Sequence, residues 1–151
     1  TWSPNTITYS DNNRTHMIRV PGPGRFELRL MDGATNPYLL QAGIIAAGID
    51  GIEQKRKAGK PINVNMYEEA HKVKGAKKLP LSLLQALNNL DKSKVLKTAF
   101  SKDVINSYIT LKNREIKKYN LSKEKKIGFK GAKSNKTNLI TQWERDNTLD
   151  C

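Results

Sequence analysis

Four arginines and one glutamate near the start of the chain have the types and the spacing of an anion-binding site. In "RFELRL" at 25–30, Arg25, Glu27 and Arg29 alternate with apolar residues, so in an extended strand the three charged side chains share one face. Arg14 and Arg19 precede them in "NNRTHMIRV". A guanidinium presents a planar fork of donors and stays charged, which suits the oxygens of phosphates and carboxylates.

Two interpretations of this charged face stay open on the residues alone. In the first, the arginines hold a polyphosphate and a carboxylate, and Glu27 binds a Mg²⁺ ion that shields the phosphates, because hard cations favour carboxylate oxygens. In the second, the face belongs to an ordinary exposed strand, whose cross-strand ion pairs are worth only about 0.2 to 1 kcal/mol each.

Short strands and turns must position these residues. "TITY" at 6–9 is β-branched and aromatic, which predicts a strand before the turn residues "SDNN". "THMIRV" at 15–20 alternates with a period of two and predicts a second strand, which "PGPG" ends. The third strand is "RFELRL", and its apolar face of Phe26, Leu28 and Leu30 predicts a core behind it.

Helices are predicted for much of the remaining chain. Asn36 is a good N-cap and Pro37 a favoured first helical residue, so a helix is expected from 37 to about 50. Because that stretch is apolar nearly all round, it is expected to be buried against a sheet. Three further N-cap residues predict amphipathic helices that carry one apolar stripe each: Ser82, Asp91 and Ser101.

These patterns divide the chain into four stretches. Residues 1–52 hold the predicted strands and the apolar helix, and 53–119 hold a basic surface loop without a clear core, at 53–78, followed by helices. Residues 120–138 contain six lysines and few apolar side chains, which predicts a flexible insert. Residues 139–151 form a short C-terminal segment around Trp143.

The positive charge of the chain is unevenly distributed. The formal net charge is +13, yet residues 1–52 are balanced and contain no lysine, so the surplus lies entirely in 53–151. There the lysines are scattered among asparagines, which is more typical of a solvated face than of a nucleic-acid interface.

No membrane span is predicted, since the longest apolar run, 38–49, is far shorter than the roughly 20 residues a bilayer requires. The lone Cys151 fits a reducing, cytoplasmic environment, and an opening on Thr1 favours a fragment or processed product.

The run from Asn12 to Ile52 resembles the C-terminal catalytic signature of glutamine synthetases. The resemblance rests on Asn-Arg at 13–14, on Arg19 followed by Val-Pro, on "RFELR" at 25–29, and on Asp32 before "NPYL" at 36–39. It covers 1 to about 119 and resumes at 139–151, and "TWSPNTITY" and "TQWERDNTLDC" look most like the bacterial type III branch. That branch includes glutamate-ammonia ligases and glutamate-methylamine ligases. The fold it implies is α+β, with antiparallel strands of an incomplete active-site barrel packed on helices and a mostly helical C-terminal region.

The resemblance also implies roles for the charged residues. Arg14 matches the catalytic arginine that contacts both ATP and glutamate, and Arg19 and Arg25 match arginines of the ATP site. Glu27 matches a ligand of the Mg²⁺ (or Mn²⁺) ion that bridges the ATP phosphates, and Arg29 matches a glutamate-binding arginine. The implied reaction is formation of γ-glutamyl phosphate from ATP and glutamate, followed by attack of ammonia or, as the alternative, methylamine.

Several expectations concern the whole protein. The family's N-terminal domain, its paired metal-binding glutamates and its metal-binding histidine do not occur in these residues, so the chain alone is expected to lack ligase activity. The resemblance further implies a homo-oligomer, dodecamer-like, with active sites between subunits, and no membrane or nucleic-acid partner. A basic nucleic-acid-binding module stays the competing interpretation from another class.

Three remaining residues are interpreted without catalytic roles. His16 is expected to be a strand residue rather than a ligand, and His71 a surface residue. Tyr67 in "NVNMYEE" lies near the position where another branch of the family carries an adenylylated tyrosine, but its surroundings differ, so modification is not expected.

Overall fold

The computed structural model describes residues 3–127 and Trp143, and it confirms the α+β class. The chain forms two compact units, a strand unit (Thr1–Asp32 and Lys55–Leu81) and a helical unit (Gly33–Gln54 and Ser82–Cys151). The elements of the described part, besides a 3₁₀ turn at Ala70–Lys72, are β1 (Tyr9–Ser10), β2 (Ile18–Gly22), β3 (Arg25–Leu28), α1 (Pro37–Glu53), α2 (Leu83–Lys92), α3 (Lys94–Phe100) and α4 (Lys102–Ile127). The fourfold division made from the sequence stays a prediction.

The strand unit contains a three-stranded sheet in the order β1-β2-β3. The strand predicted at 6–9 is shorter and later, because only Tyr9 and Ser10 pair with β2, while Thr6 forms an isolated antiparallel bridge to Lys78. β1 and β2 are parallel, where antiparallel strands were expected. The difference arises because the connection at 11–17 folds into a turn that brings the chain back alongside β1 instead of closing a hairpin.

β2 and β3 form the antiparallel hairpin that "PGPG" predicts. Arg19 lies opposite Glu27 and Gly22 opposite Arg25, with a bulge between the two positions on β2. A bulge accommodates Pro21, which has no N–H to donate to the ladder. Gly24 has a φ of 76°, which glycine adopts without a steric penalty, so the turn returns the chain directly into β3.

The core of the strand unit differs from the predicted one. Phe26 and Leu30 are 60% and 42% exposed, so the core expected behind β3 is not found within the described residues. The segment 53–78, predicted to lack a core, instead folds back onto the strands and supplies the buried Met66. Main-chain hydrogen bonds from Ile62 to Tyr9 and from Ile7 to Lys77 tie this returning segment, 55–81, to the rest of the unit. Main-chain hydrogen bonds therefore hold this unit together, where an apolar core behind β3 was expected to do so.

Helix α1 starts as predicted, but it is not buried. The Asn36 side chain accepts hydrogen bonds from the main-chain N–H groups of Tyr38 and Leu39, and Pro37 is the first helical residue. Its packing partner in the helical unit is α3, where Gly43 lies against the Phe100 ring. Several large apolar side chains of α1 are exposed in the described residues: Tyr38, Leu39, Ile45, Ile49 and Ile52. The prediction of a helix buried against a sheet is wrong for these residues, because a single short helix covers only one side of α1.

The other helices pack together in the same unit. The Ser82 side chain caps α2, as predicted, but the cap of α3 is Ser93 rather than Asp91, which instead forms an ion pair with Lys97. Buried Leu87 and Ile105 are the core of this unit among the described residues. Helix α4 follows Ser101 and extends through Ile127, so the first eight residues of the predicted flexible insert are helical, and 128–138 lie outside the described residues.

Helix α4 also contacts the C-terminal segment. The ring of Trp143 lies edge-on to the ring of Tyr119, with centroids 5.3 Å apart. The other residues of 139–151 lie outside the described part. Among the described helices, none has the length and apolar character needed to cross a membrane.

Candidate functional site

Arg19 and Glu27 form the centre of the charged face. Because they are register partners on β2 and β3, their side chains meet on the same side of the sheet. Nη1 of Arg19 donates to both carboxylate oxygens of Glu27, at 2.7 and 2.8 Å. Nε and Nη2 of the same guanidinium donate to Oδ1 of Asn12, with the Nε contact at 2.8 Å. Arg19 is thus held on two sides and is only 13% exposed.

Glu27, the predicted metal-binding carboxylate, has a lowered pKa. The hydrogen bond from Arg19 lowers the pKa of the Glu27 carboxyl below its ordinary value, and the charges of Arg19, Arg25 and Arg14 add to this effect against a smaller opposing effect of desolvation. Glu27 stays 43% exposed, so its oxygens are open to solvent on one side. Arg14 and Arg25 are exposed as well. The structure therefore places three predicted arginines around one accessible carboxylate.

Arg29 differs from the other three arginines of this face because part of its guanidinium is buried without a hydrogen-bond partner among residues 3–127 and Trp143. Its main-chain N–H donates to the Met17 carbonyl at 2.9 Å, which extends the ladder one residue beyond β3. Its Nη1 is buried and has no hydrogen-bond acceptor in the part of the chain that the structure describes. A buried charged donor without an acceptor is costly, and an anionic oxygen beside this atom would remove that cost. The charge and geometry of a guanidinium suit a carboxylate or a phosphate in that position.

Arg14 lies in a turn that is held by hydrogen bonds of its neighbours on both sides, and these supports were not predicted from the sequence. The Asn13 side chain donates to the Val64 carbonyl at 3.0 Å and accepts from the main-chain N–H and hydroxyl of Thr15. The Thr15 hydroxyl accepts from the main-chain N–H of Met66 at 3.0 Å. The sequence signal was the cluster of short polar residues around an arginine, which favours side-chain to backbone hydrogen bonds. Their partners lie about 50 residues away and carry no local signal.

The two histidines and Tyr67, which were predicted to have no catalytic role, differ in their exposure. His71 is exposed in the 3₁₀ turn, which confirms the surface assignment. His16 is not in a strand; it lies fully buried in the bend just before β2. Tyr67 is 37% exposed and follows a turn in which its N–H donates to the Asn65 side chain.

A divalent cation fits this face only in part. Glu27 offers ionised hard oxygen ligands, as Mg²⁺ requires. Both of those oxygens also accept from Arg19, and the described residues contain no group of three or more His, Cys, Asp or Glu side chains that could hold a metal ion. On this face the described residues therefore offer Glu27 as a ligand, without a complete set of ligands around it.

Comparison with known proteins identifies the family. A family model described as glutamine synthetase, catalytic domain, matches residues 1–127. A glutamine synthetase of Rhizobium leguminosarum bv. phaseoli is 50% identical over 150 residues, which are 99% of this chain and 31% of that protein. A glutamate–methylamine ligase of Methyloversatilis universalis is 43% identical over 122 residues, which are 79% of this chain and 27% of that protein.

A solved structure supports the same assignment. A GmaS/ADP complex, in its conformation 1, superposes with a TM-score of 0.75 at 43% identity and covers 99% of this chain. This chain covers 30% of that one, so the chain spans about a third of the length of the relatives that it matches. The family model covers all five predicted site residues. The chain belongs to the glutamine synthetase family.

Proposed function

We propose that this chain supplies the arginines and one metal-binding carboxylate of an ATP-dependent glutamate-ammonia ligase. The observation that carries the proposal is Arg29, which directly follows the strand of ionised Glu27 and whose buried Nη1 has no acceptor among the described residues. The family match over residues 1–127 gives the proposal its reaction class. Because the chain spans about a third of its relatives, the activity is proposed for the complete enzyme, and the isolated chain is expected to be inactive.

Each charged residue has a role in this proposal. Arg29 binds a carboxylate of glutamate, and Arg25 binds a phosphate of ATP from its exposed position. Arg14 contacts both substrates and stabilises the phosphoryl group during transfer. Arg19 belongs to the ATP site and at the same time holds Glu27, to which its Nη1 already donates. Phosphoryl transfer is catalysed mainly by positioning and charge neutralisation, which are functions that fixed arginines perform.

The proposed reaction has two steps. An oxygen of the glutamate γ-carboxylate attacks the γ-phosphorus of ATP, the new O–P bond gives γ-glutamyl phosphate, and the broken P–O bond releases ADP. Ammonia then attacks the acyl carbon, inorganic phosphate leaves, and the nitrogen loses a proton to give glutamine. Arg14 and Arg25 act in the first step by lowering the repulsion between the anionic carboxylate and the phosphates.

A Mg²⁺ or Mn²⁺ ion completes the proposed site. Glu27 would be one of its ligands, and the bound ion would neutralise charge on the ATP phosphates. Arg19 holds the Glu27 carboxylate in one orientation through its two hydrogen bonds. The chain's own contribution is thus an oriented, ionised carboxylate on a strand.

The acceptor separates two versions of this proposal. The relatives include both a glutamine synthetase and a glutamate–methylamine ligase, so ammonia is proposed as the acceptor and methylamine as the alternative. The test is an initial-rate assay of ATP turnover by the purified protein with glutamate and either amine. Higher kcat/KM with ammonia supports the proposal, higher kcat/KM with methylamine supports the alternative, and no glutamate-dependent turnover by the complete enzyme contradicts both.

Assembly and location complete the proposal. We propose a homo-oligomer, dodecamer-like, whose active sites lie between subunits and which acts in the cytoplasm without a nucleic-acid or membrane partner. Since the described residues contain no group of three or more possible metal ligands, a site completed by other polypeptide is consistent with this proposal. Sedimentation of the complete enzyme tests the oligomer.

A further inference from the structure

His16 is a buried, titratable side chain that the proposed reaction does not use. It is fully buried, and the structure gives each ring nitrogen one partner. Nδ1 lies 3.0 Å from the Thr8 hydroxyl, and Nε2 lies 3.0 Å from the Val64 carbonyl. The ring therefore joins the residue before β1 to the returning segment, and it does so two positions after Arg14.

The two partners fix one tautomer of the ring. A carbonyl oxygen can only accept, so Nε2 must carry the proton that is donated to Val64. In the neutral ring Nδ1 is then the acceptor, and the Thr8 hydroxyl donates to it. The Thr8 oxygen lies 3.5 Å from the Thr6 hydroxyl, which can donate in turn. The hydrogen bonds that link Thr6, Thr8, His16 and Val64 are therefore all satisfied when the ring is the neutral Nε2–H tautomer.

The residues next to Arg14 in the sequence take part in the same hydrogen-bond network. The Val64 carbonyl accepts from both His16 and Asn13, which stand on either side of Arg14 in the sequence. Thr15 joins the turn to Met66 through its hydroxyl. Arg14 is thus the exposed residue of a turn whose neighbours are all held by the returning segment. Loss of one buried partner would free the turn, because networks of buried hydrogen bonds hold geometry jointly.

We propose that His16 is a positioning residue for Arg14, acting as a neutral Nε2–H imidazole that holds the Asn13–Thr15 turn against Val64. It does not touch substrate; it determines where the Arg14 guanidinium is presented. The effect on turnover rests on the proposed ligase function, whereas the tautomer and its hydrogen bonds do not.

A pH dependence follows from the burial of the ring. Burial lowers the pKa of the His16 imidazole, against a smaller opposing effect of the Val64 carbonyl. The charged residues within five positions of His16 or of Val64 in the sequence are Asp11, Arg14, Arg19, Lys60, Glu68 and Glu69, and the rest of the returning segment adds seven cations: Lys55, Arg56, Lys57, Lys72, Lys74, Lys77 and Lys78. In the described hydrogen bonds of the ring none of them takes part. The unfolded chain therefore binds a proton at a higher pH than the folded one, so stability is lost as pH falls below the ordinary histidine range.

The first experiment reads the tautomer directly. In ¹⁵N-histidine-labelled protein, the signals that are absent from His16→Gln belong to His16, and His71→Gln identifies the exposed ring as a control. We expect a protonated Nε2 and an unprotonated Nδ1 for His16, retained at pH values where an imidazole in water is charged. An Nδ1–H tautomer, or a ring already charged at neutral pH, would overturn the proposal whatever the enzyme does.

The second experiment measures positioning through turnover. His16→Leu should lower kcat of the complete enzyme about tenfold or more while the KM for ammonia changes little, and His16→Gln, which keeps a donor for Val64, should recover part of that loss. Protonation of Nδ1 would end its role as acceptor for Thr8 and release the turn, so kcat of the wild-type enzyme should show an inflection at acid pH. His16→Gln should lack this inflection, and His71→Gln should retain it. A His16→Leu enzyme within twofold of wild type, or an inflection unchanged in His16→Gln, contradicts the proposal.

Failure of folding and failure of the function are separable. If His16→Leu does not fold, as judged by circular dichroism, His16→Gln and the tautomer decide the question. If the wild-type enzyme has no glutamate-dependent turnover, the proposed function fails, and the proposal for His16 is judged by the Arg14 side-chain signals. Those signals should broaden or shift in His16→Gln and stay unchanged in His71→Gln; no change in either variant contradicts the positioning role.

Discussion

The strand unit and the helical unit are stabilised by different kinds of contact. The buried side chains of the strand unit are mostly polar, with Met66 as its apolar exception in the described residues, and the buried side chains of the helical unit are Leu87 and Ile105. Polar networks are directional, so they hold side chains in one geometry, whereas apolar packing tolerates rearrangement. The arginines at 14 and 19 therefore lie in the unit whose buried contacts are directional hydrogen bonds, where the geometry of a side chain is fixed most closely.

The largest effect that tests this comparison is expected in the helical core. Leu87→Ala removes a side chain that is 97% buried, and it should lower the free energy of unfolding by about 2 to 5 kcal/mol because a cavity remains. Leu84→Ala, on the same helix but 53% exposed, should change the free energy by much less. Urea unfolding of the two variants gives the comparison, and equal losses would show that burial in α2 is not what stabilises the unit.

The next largest effect is a loss of turnover when the guanidinium of Arg14 is replaced by an ammonium group. Arg14→Lys keeps the charge but loses the planar fork of donors, so it should reduce glutamate-dependent ATP turnover about 100-fold, as loss of an electrostatic catalytic group does. Lys117→Arg on α4 is the matched control, because it makes the reverse change on an exposed residue of the helical unit. Turnover by Arg14→Lys within a few-fold of wild type would remove the distinction between the arginine face and the lysine background.

The smallest effect is a change in titration at Glu27. Since the hydrogen bond from Arg19 is the main cause of the lowered pKa, Arg19→Gln should raise the pKa of the Glu27 carboxyl toward its ordinary value. Any stability from this carboxylate is present above the unfolded-state pKa and is lost as pH falls through the folded-state value, so Arg19→Gln should reduce that acid loss. The change in stability should be slight, because Glu27 is solvent-exposed.

Carbon-detected titration of the Glu27 carboxyl measures this directly. Arg25→Gln is the comparison, since Arg25 contributes only a longer-range charge effect, and it should raise the pKa by less than Arg19→Gln does. A larger shift for Arg25→Gln would mean that general charge, and not the paired hydrogen bonds, holds the carboxylate ionised.

Local signals predicted much of the fold. The caps Asn36, Ser82 and Ser101 act as expected, since an N-cap depends on residues two or three positions away. The alternation in "RFELR" also placed Glu27 in the sheet next to its arginines. Each of these predictions uses contacts that are close in the sequence.

Long-range contacts were not predictable in this way. Nothing near Val64 in the sequence indicates that its carbonyl accepts from Asn13 and His16. The same holds for Met66, which was assigned to a loop without a core because its stretch lacks periodicity. The predicted burial of α1 was too great, because apolar composition shows that a helix can be buried but not which element packs against it.

The most direct test of the account is the glutamate dependence of ATP turnover in Arg29→Lys. Lysine cannot place a donor where the buried Nη1 now lies, so the KM for glutamate should rise about tenfold or more, while the KM for ATP stays near that of wild type. Lys117→Arg should change neither constant. An unchanged KM for glutamate in Arg29→Lys would contradict the claim that this strand carries the glutamate site.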